Sequence, residues 1–211
     1  MKKVETKPLK THDHRKIHKN IYQMKQGNTM IQELPALKFV SQRMVTSYHM
    51  EWDGHPEPKD EKWIAWKVAN QLKQITKKEL AYKFKRMPPE IVWHKKDKNG
   101  KWIVDQMLLV ADCITDAMYD RAIEKVKKNL RVNELPKITF VKTKPTLCAQ
   151  IFHLGHYRDT KESLRKLTSE LEEQGYRAIG AHREIYLKPA MACYPPEKCE
   201  TIIRVKVEKV E

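Results

Sequence analysis

Two periods of apolar residues run along the chain. In the stretch from Asp60 to about Lys85, Ile64, Val68, Leu72 and Ile75 keep three-to-four spacing, which predicts an amphipathic helix. "TKKE" at 76–79 fits a capping box at which that helix restarts, and Pro88 and Pro89 end it. Tyr119, Ile123, Val126 and Leu130 make a second stripe, capped by Thr115 or Asp116. Asp159 with Glu162 resembles another capping box. It opens a third helix with Leu164, Leu167 and Leu171 on one face and Gly175 at its end. Strand composition fills the intervals: 35–50, "EIVWH", "WIVDQMLLVAD", "KITFVKT", "TLCAQIFHLGHY", "RAIGAHREIYLK" and "ETIIRVKVEKV". Asn99-Gly100 joins the second and third of these as a hairpin. "KITFVKT" and "TLCAQIFHLGHY" read as a second hairpin-like pair around Pro145.

Strand–helix–strand–strand thus occurs twice, with one helix between the two occurrences. The pattern predicts an α+β fold with antiparallel sheets. Residues 1–28 lack periodicity and are rich in Lys and His, so they read as a mobile basic arm ahead of one domain over 29–211. The loop "EWDGHPEPKD" at 51–60 is broken by Gly54, Pro56 and Pro58.

One strand poses a chemical question. In "GAHREIYLKP", alternation puts Arg183, Ile185 and Leu187 on one face and His182, Glu184, Tyr186 and Lys188 on the other. Ile185 and Leu187 look like core. Glu184 then lies between an imidazole and a phenol, on a face that is either solvent or the floor of a pocket.

Composition narrows the class. The chain has 211 residues, 40% hydrophobic and 33% charged, with a net charge of +15. No apolar run is long enough to span a bilayer, and the basic N-terminus is not followed by an apolar signal segment. These features predict a cytoplasmic protein with no membrane partner. Cys113, Cys148, Cys193 and Cys199 form no C-x-x-C pair, which argues against a disulfide framework or a zinc site. His153 and His156 fall on opposite faces of a strand end, a poor geometry for a shared metal. No metal and no cofactor are expected. The charge is compatible with nucleic acid, but the lysines are scattered over several solvated faces rather than gathered in one motif.

The stretches "PPEIVWH", "WIVDQMLLVADCITDAMYDRAIEKV", "LCAQIFHLGHYRDT", "HREIYL" and "PPEKCETIIRVKV", together about 87–207, resemble the GyrI-like small-molecule-binding proteins, relatives of bacterial effector-binding domains. "NIY" and "PALKFV" extend the likeness more weakly to about 20–86, and no helix-turn-helix pattern is seen, as in a stand-alone effector-binding domain. The resemblance implies two pseudo-symmetric strand–helix–strand–strand modules around a central ligand cleft. It implies a cleft acid at Glu184 and aromatic walls from Trp93, Tyr157 and Tyr186, and a small, flat or cationic organic ligand for drug or toxin binding. Some family members hydrolyse cyclopropane-bearing DNA-alkylating compounds, and others are inferred to inhibit gyrase. The hydrolase is therefore the alternative reading, and a gyrase- or nucleic-acid-interacting basic module the second alternative. Hydrolase-like members tend to carry a second acid where this chain has Thr160, so the resemblance leaves enzymatic activity open. The usual tryptophan pair is Trp93 and His94 here, and "SQRMVTSYHMEWDG" replaces a glycine-rich stretch, which implies a reshaped cleft.

Within that reading each residue has two roles to choose between. Trp102 is either a cross-strand partner of Trp93 or part of the wall. Tyr157 is either a core aromatic or a hydrogen-bond donor to ligand. His182 shares the Glu184 face and either tunes it or is an ordinary surface histidine. In a catalytic version Glu184 is the general base or acid, and Tyr157 or Tyr186 donates to a developing oxyanion.

Overall fold

The computed structural model describes residues 9–46, 64–188 and 194–210. The elements run β1 (Thr11–His12), α1 (His14–Ile17), α2 (Lys19–Tyr22), β2 (Thr29–Leu34), β3 (Lys38–Thr46), α3 (Ile64–Glu79), β4 (Lys83–Phe84), β5 (Glu90–Lys96) and β6 (Trp102–Val110). They continue with α4 (Asp116–Leu130), β7 (Ile138–Lys142), β8 (Thr146–Leu154), α5 (Thr160–Glu173), β9 (Tyr176–Lys188) and β10 (Glu200–Lys209). The fold is α+β, as the pattern predicts.

One antiparallel eight-stranded sheet holds the fold, in the order β2-β8-β10-β9-β5-β6-β3-β7. The two modules, β3-α3-β5-β6 and β8-α5-β9-β10, each place their strands first–third–second. They join back to back through β5 and β9, where Ile91 lies opposite Glu184 and Val92 opposite Arg183. The predicted pairing of 137–143 with 146–157 does not occur. β7 pairs with β3 instead, and β2, which leads into β3, pairs with β8.

These exchanged edges dictate the curvature. β2 and β3 are six strand spacings apart in the sheet order, about 29 Å if the sheet were flat. Residues 35–37 connect them, and that link spans at most about 14 Å. The same holds for β7 and β8. The sheet therefore curls until its edges approach, and the two connections meet. Leu37 N–H donates to Thr143 Oγ1 at 2.9 Å, and Thr143 N–H donates to the Leu37 carbonyl at 2.9 Å.

The three long helices, α3, α4 and α5, lie on the outer face. Val68 and Leu72 of α3 and Ala122 and Val126 of α4 cover Val40, Leu108 and Val110, while Leu167 and Leu171 of α5 cover Ala149, Ile151, Ile203 and Val205. The inner face gathers Phe39, Met107, Leu109, Cys148, Ile185 and Ile202 from both modules.

Several boundaries differ from expectation. The first helix ends at Glu79, and Lys83–Phe84 forms a parallel pair with β1. Thr76 caps nothing: it is fully buried within α3 and its hydroxyl donates to the Lys73 carbonyl at 3.3 Å. Asp159 makes no side-chain cap for α5, whereas Thr115 does cap α4, accepting from Met118 N–H at 3.3 Å. β2 was absent from the prediction because an edge strand with an irregular burial pattern carries no period-two signal. The middle of the arm predicted to be mobile is also placed differently. Residues 11–22 form β1, α1 and α2, and Ile21 and Tyr22 enter the inner core. The predicted strand's last residues, 47–50, and the loop 51–60 lie outside the described residues, as does Cys193.

Candidate ligand-binding site

The junction of β5 and β9 carries an aromatic cluster on the helix-bearing face, separate from the two helix-covered cores. It contains Ile91, Trp93, Val104, Tyr157 and Tyr186, with Met44 and Trp102 against it. Glu184 sits in this group and is only 2% exposed. Alternation along β9 puts it there: its neighbours Arg183 and Ile185 point to the inner face, and His182 and Tyr186 accompany it.

The ring geometry is specific. The Tyr186 hydroxyl donates to Glu184 Oε2, and His182 Nε2 lies 3.7 Å from Oε1. Trp93 lies nearly parallel to the His182 ring, at 13° with centroids 6.5 Å apart. Trp102 meets Trp93 edge-on at 5.8 Å as a diagonal cross-strand neighbour, Val104 being the residue directly opposite Trp93, and it packs against the cluster. A β-bulge between Trp93 and Lys95 resets the hairpin register beside this pair. Tyr157 stands in the turn after β8 and meets Tyr186 edge-on at 6.4 Å. The five ring-bearing residues singled out from the sequence thus fall in one cluster with the Glu184 carboxylate.

Burial drives the Tyr186 phenol well above its ordinary pKa, and the Glu184 charge and hydrogen bond push it further, against a smaller opposing hydrogen bond with Trp93. Tyr186 is therefore a protonated donor at neutral pH. Thr160 is buried, and its hydroxyl donates to the Tyr157 carbonyl at 2.8 Å. It fixes the turn that carries Tyr157 and offers no acid. His156 lies beyond the end of β8 rather than on its opposite face: the His153 ring sits 3.0 Å from the His156 carbonyl and 2.9 Å from Ser163 Oγ, and His156 Nδ1 accepts from Arg158 N–H at 3.2 Å.

A family model, the GyrI-like small molecule binding domain, matches residues 28–206. The chain belongs to this family. Among solved structures, the GyrI-like chain is similar to an uncharacterised conserved protein from Listeria innocua, with 21% identity, a TM-score of 0.77, and coverage of 93% of this chain and 99% of the other. It is also similar to a hydrolase from Listeria innocua, at 21% identity and a TM-score of 0.75, covering 94% and 100%. A third similar structure is EcmrR in a DNA complex, at 18% identity and a TM-score of 0.56, covering 93% of this chain and 63% of that one. No curated protein matches. No helix among the described residues is long and apolar enough to cross a membrane.

Sequence reasoning missed a second polar group, on the inner face of the GyrI-like sheet. Glu90 is fully buried, accepting from Tyr22 Oη at 2.6 Å and Arg183 Nη1 at 2.8 Å, with Arg204 Nη1 3.8 Å away. Arg204 is 3% exposed, and its Nε donates to Gln150 Oε1 at 3.0 Å. Arg183 is the strand neighbour of Glu184, so alternation flagged its face. Its partners come from strand register and from α2, which no local pattern encodes.

Proposed function

We propose that this GyrI-like domain binds flat, aromatic or cationic organic compounds, with Glu184 as the charged floor and Trp93, Tyr157, Tyr186, Trp102 and His182 as walls. The observation that supports it is a carboxylate 2% exposed among aromatic rings. Burial disfavours an ionised carboxylate unless a cation or hydrogen bonds compensate. A planar cation supplies charge for Glu184 and a face for the rings, each aromatic contact contributing about 0.5–2 kcal/mol. Titrating a planar cationic dye against the wild type and Glu184→Gln tests the role of the charge. The variant is expected to bind at least about tenfold more weakly, and equal affinities would remove the carboxylate from the account.

A second reading has the same cleft hydrolyse cyclopropanoid DNA-alkylating compounds, in keeping with the similar structure from Listeria innocua that is called a hydrolase. Glu184 would activate water or transfer a proton to the opening ring, with Tyr186 or Tyr157 donating to the developing negative charge. Thr160 weighs against it, because its hydroxyl is engaged with backbone. Incubation with such a compound, followed by mass spectrometry, separates the two readings: binding alone predicts recovery of the intact compound, hydrolysis a protein-dependent gain of one water. Interaction with nucleic acid or gyrase is the third reading. It is supported by the +15 charge and the similarity to EcmrR, and it predicts binding that weakens steeply with salt.

A further inference from the structure

The inner face of the curled sheet lines a half-open cavity of about 740 Å³, on the side opposite Glu184. That volume falls within the range of about 300–1,000 Å³ usual for small-molecule sites. Both modules build it. Val92 and Met107 line it from β5 and β6, Arg183 from β9, and Arg204 and Lys206 from β10, while the exchanged connections supply Leu37 and Lys144.

Its charge is one-sided. Five cationic side chains line it (Lys142, Lys144, Arg183, Arg204 and Lys206) against one acid, Asp105. Some of these are already paired. Lys142 meets Asp116 at 2.5 Å, Arg183 meets Glu90 at 2.8 Å, and Asp105 is held by Arg43 at 2.6 Å and His94 at 2.7 Å. Neither Lys144 nor Lys206 has a carboxylate within ion-pair distance among the described residues. Arg204 adds the deciding feature. It is 3% exposed, yet its Nη1 has no hydrogen-bond partner, the nearest carboxylate oxygen standing 3.8 Å off on Glu90. A buried guanidinium N–H left without an acceptor is costly, and a small rotation of the side chain toward the cavity it lines would let an incoming oxyanion satisfy it. The remaining wall, with Phe39, Val92 and Met107, is apolar.

We infer that this inner cavity is a second ligand site, for an organic carboxylate with an aromatic or aliphatic body. Arg204 receives the carboxylate, Lys206 and Lys144 supply the attracting field at the mouth, and the apolar wall takes the body. The two faces of β9 then serve opposite charges, with Glu184 outward and Arg183 beside the anion site inward.

Calorimetric titration of the full chain with naphthalene-2-carboxylate, and with the uncharged naphthalene-2-carboxamide, tests this. Lys206 and Lys144 are exposed, so Lys206→Glu and Lys144→Glu leave the core intact, and their melting curves confirm folding. The expected result is saturable one-to-one binding of the carboxylate, a carboxamide at least about tenfold weaker, and a carboxylate affinity lowered about tenfold by Lys206→Glu and further by the double variant. Absence of saturable carboxylate binding up to about 1 mM, equal affinity for the carboxamide, or folded variants that bind the carboxylate as well as the wild type would each overturn the assignment.

Discussion

Glu184 and Asp105 show how differently this molecule treats two carboxylates. Glu184 is enclosed by rings, with a phenol as donor. Asp105 stands at the cavity rim and takes Arg43 Nε at 2.6 Å, Arg43 Nη2 at 2.7 Å and His94 Nε2 at 2.7 Å. Burial acts to raise its pKa, but the hydrogen bonds and charges of Arg43 and His94 prevail and hold it below the ordinary carboxylate value. A carboxyl group with a lowered folded-state pKa stabilises the fold above its unfolded pKa. That contribution disappears as pH falls through the usual carboxylate range, near about pH 4, toward the folded value. Asp105→Asn is therefore expected to lower stability at pH 7 and to flatten the loss on acidification. Denaturant unfolding of both proteins across that range checks it, and parallel curves would contradict the assignment.

At the scale of elements, β9 is the strand that matters most, since it separates the two faces. Gly180 interrupts it with φ of 72°, where the pairing with β10 shifts between Arg204 and Lys206. Ile179, Ala181 and Arg183, at the two-residue spacing of a strand, all line the inner cavity. An alanine there meets no neighbouring atom, so its penalty is conformational alone. Gly180→Ala is expected to cost about 1–2 kcal/mol in equilibrium unfolding. The helices were legible in the sequence because Val68, Leu72, Val126, Leu167 and Leu171 repeat at the helical period and are all buried. So was the Glu184 face, because two-residue alternation survives in any strand. Strand partners were not legible. Pro145 between two strands looks like a hairpin turn, and nothing local says that β7 crosses to β3. Ile21 and Tyr22 were hidden for the same reason: two four-residue helices have too few turns to show a period, and Glu90 and Arg204, which Tyr22 meets, lie far along the chain.

On the scale of the whole molecule, the exchange of β2 and β7 ties each module to the other and makes the curl obligatory. The exchange wraps the sheet around the half-open inner cavity and leaves the aromatic cluster of the β5–β9 junction on the outer face. The fold thus holds one carboxylate among rings on one side of two strands and a guanidinium network on the other. A crystal structure of the chain with a bound planar aromatic cation tests the central claim most directly. The account predicts the ligand stacked on Trp93 and Tyr157, with its positive charge within about 6 Å of the aromatic centroids and beside the Glu184 carboxylate. A cation lodged in the inner cavity, or on the surface away from Glu184, would contradict it.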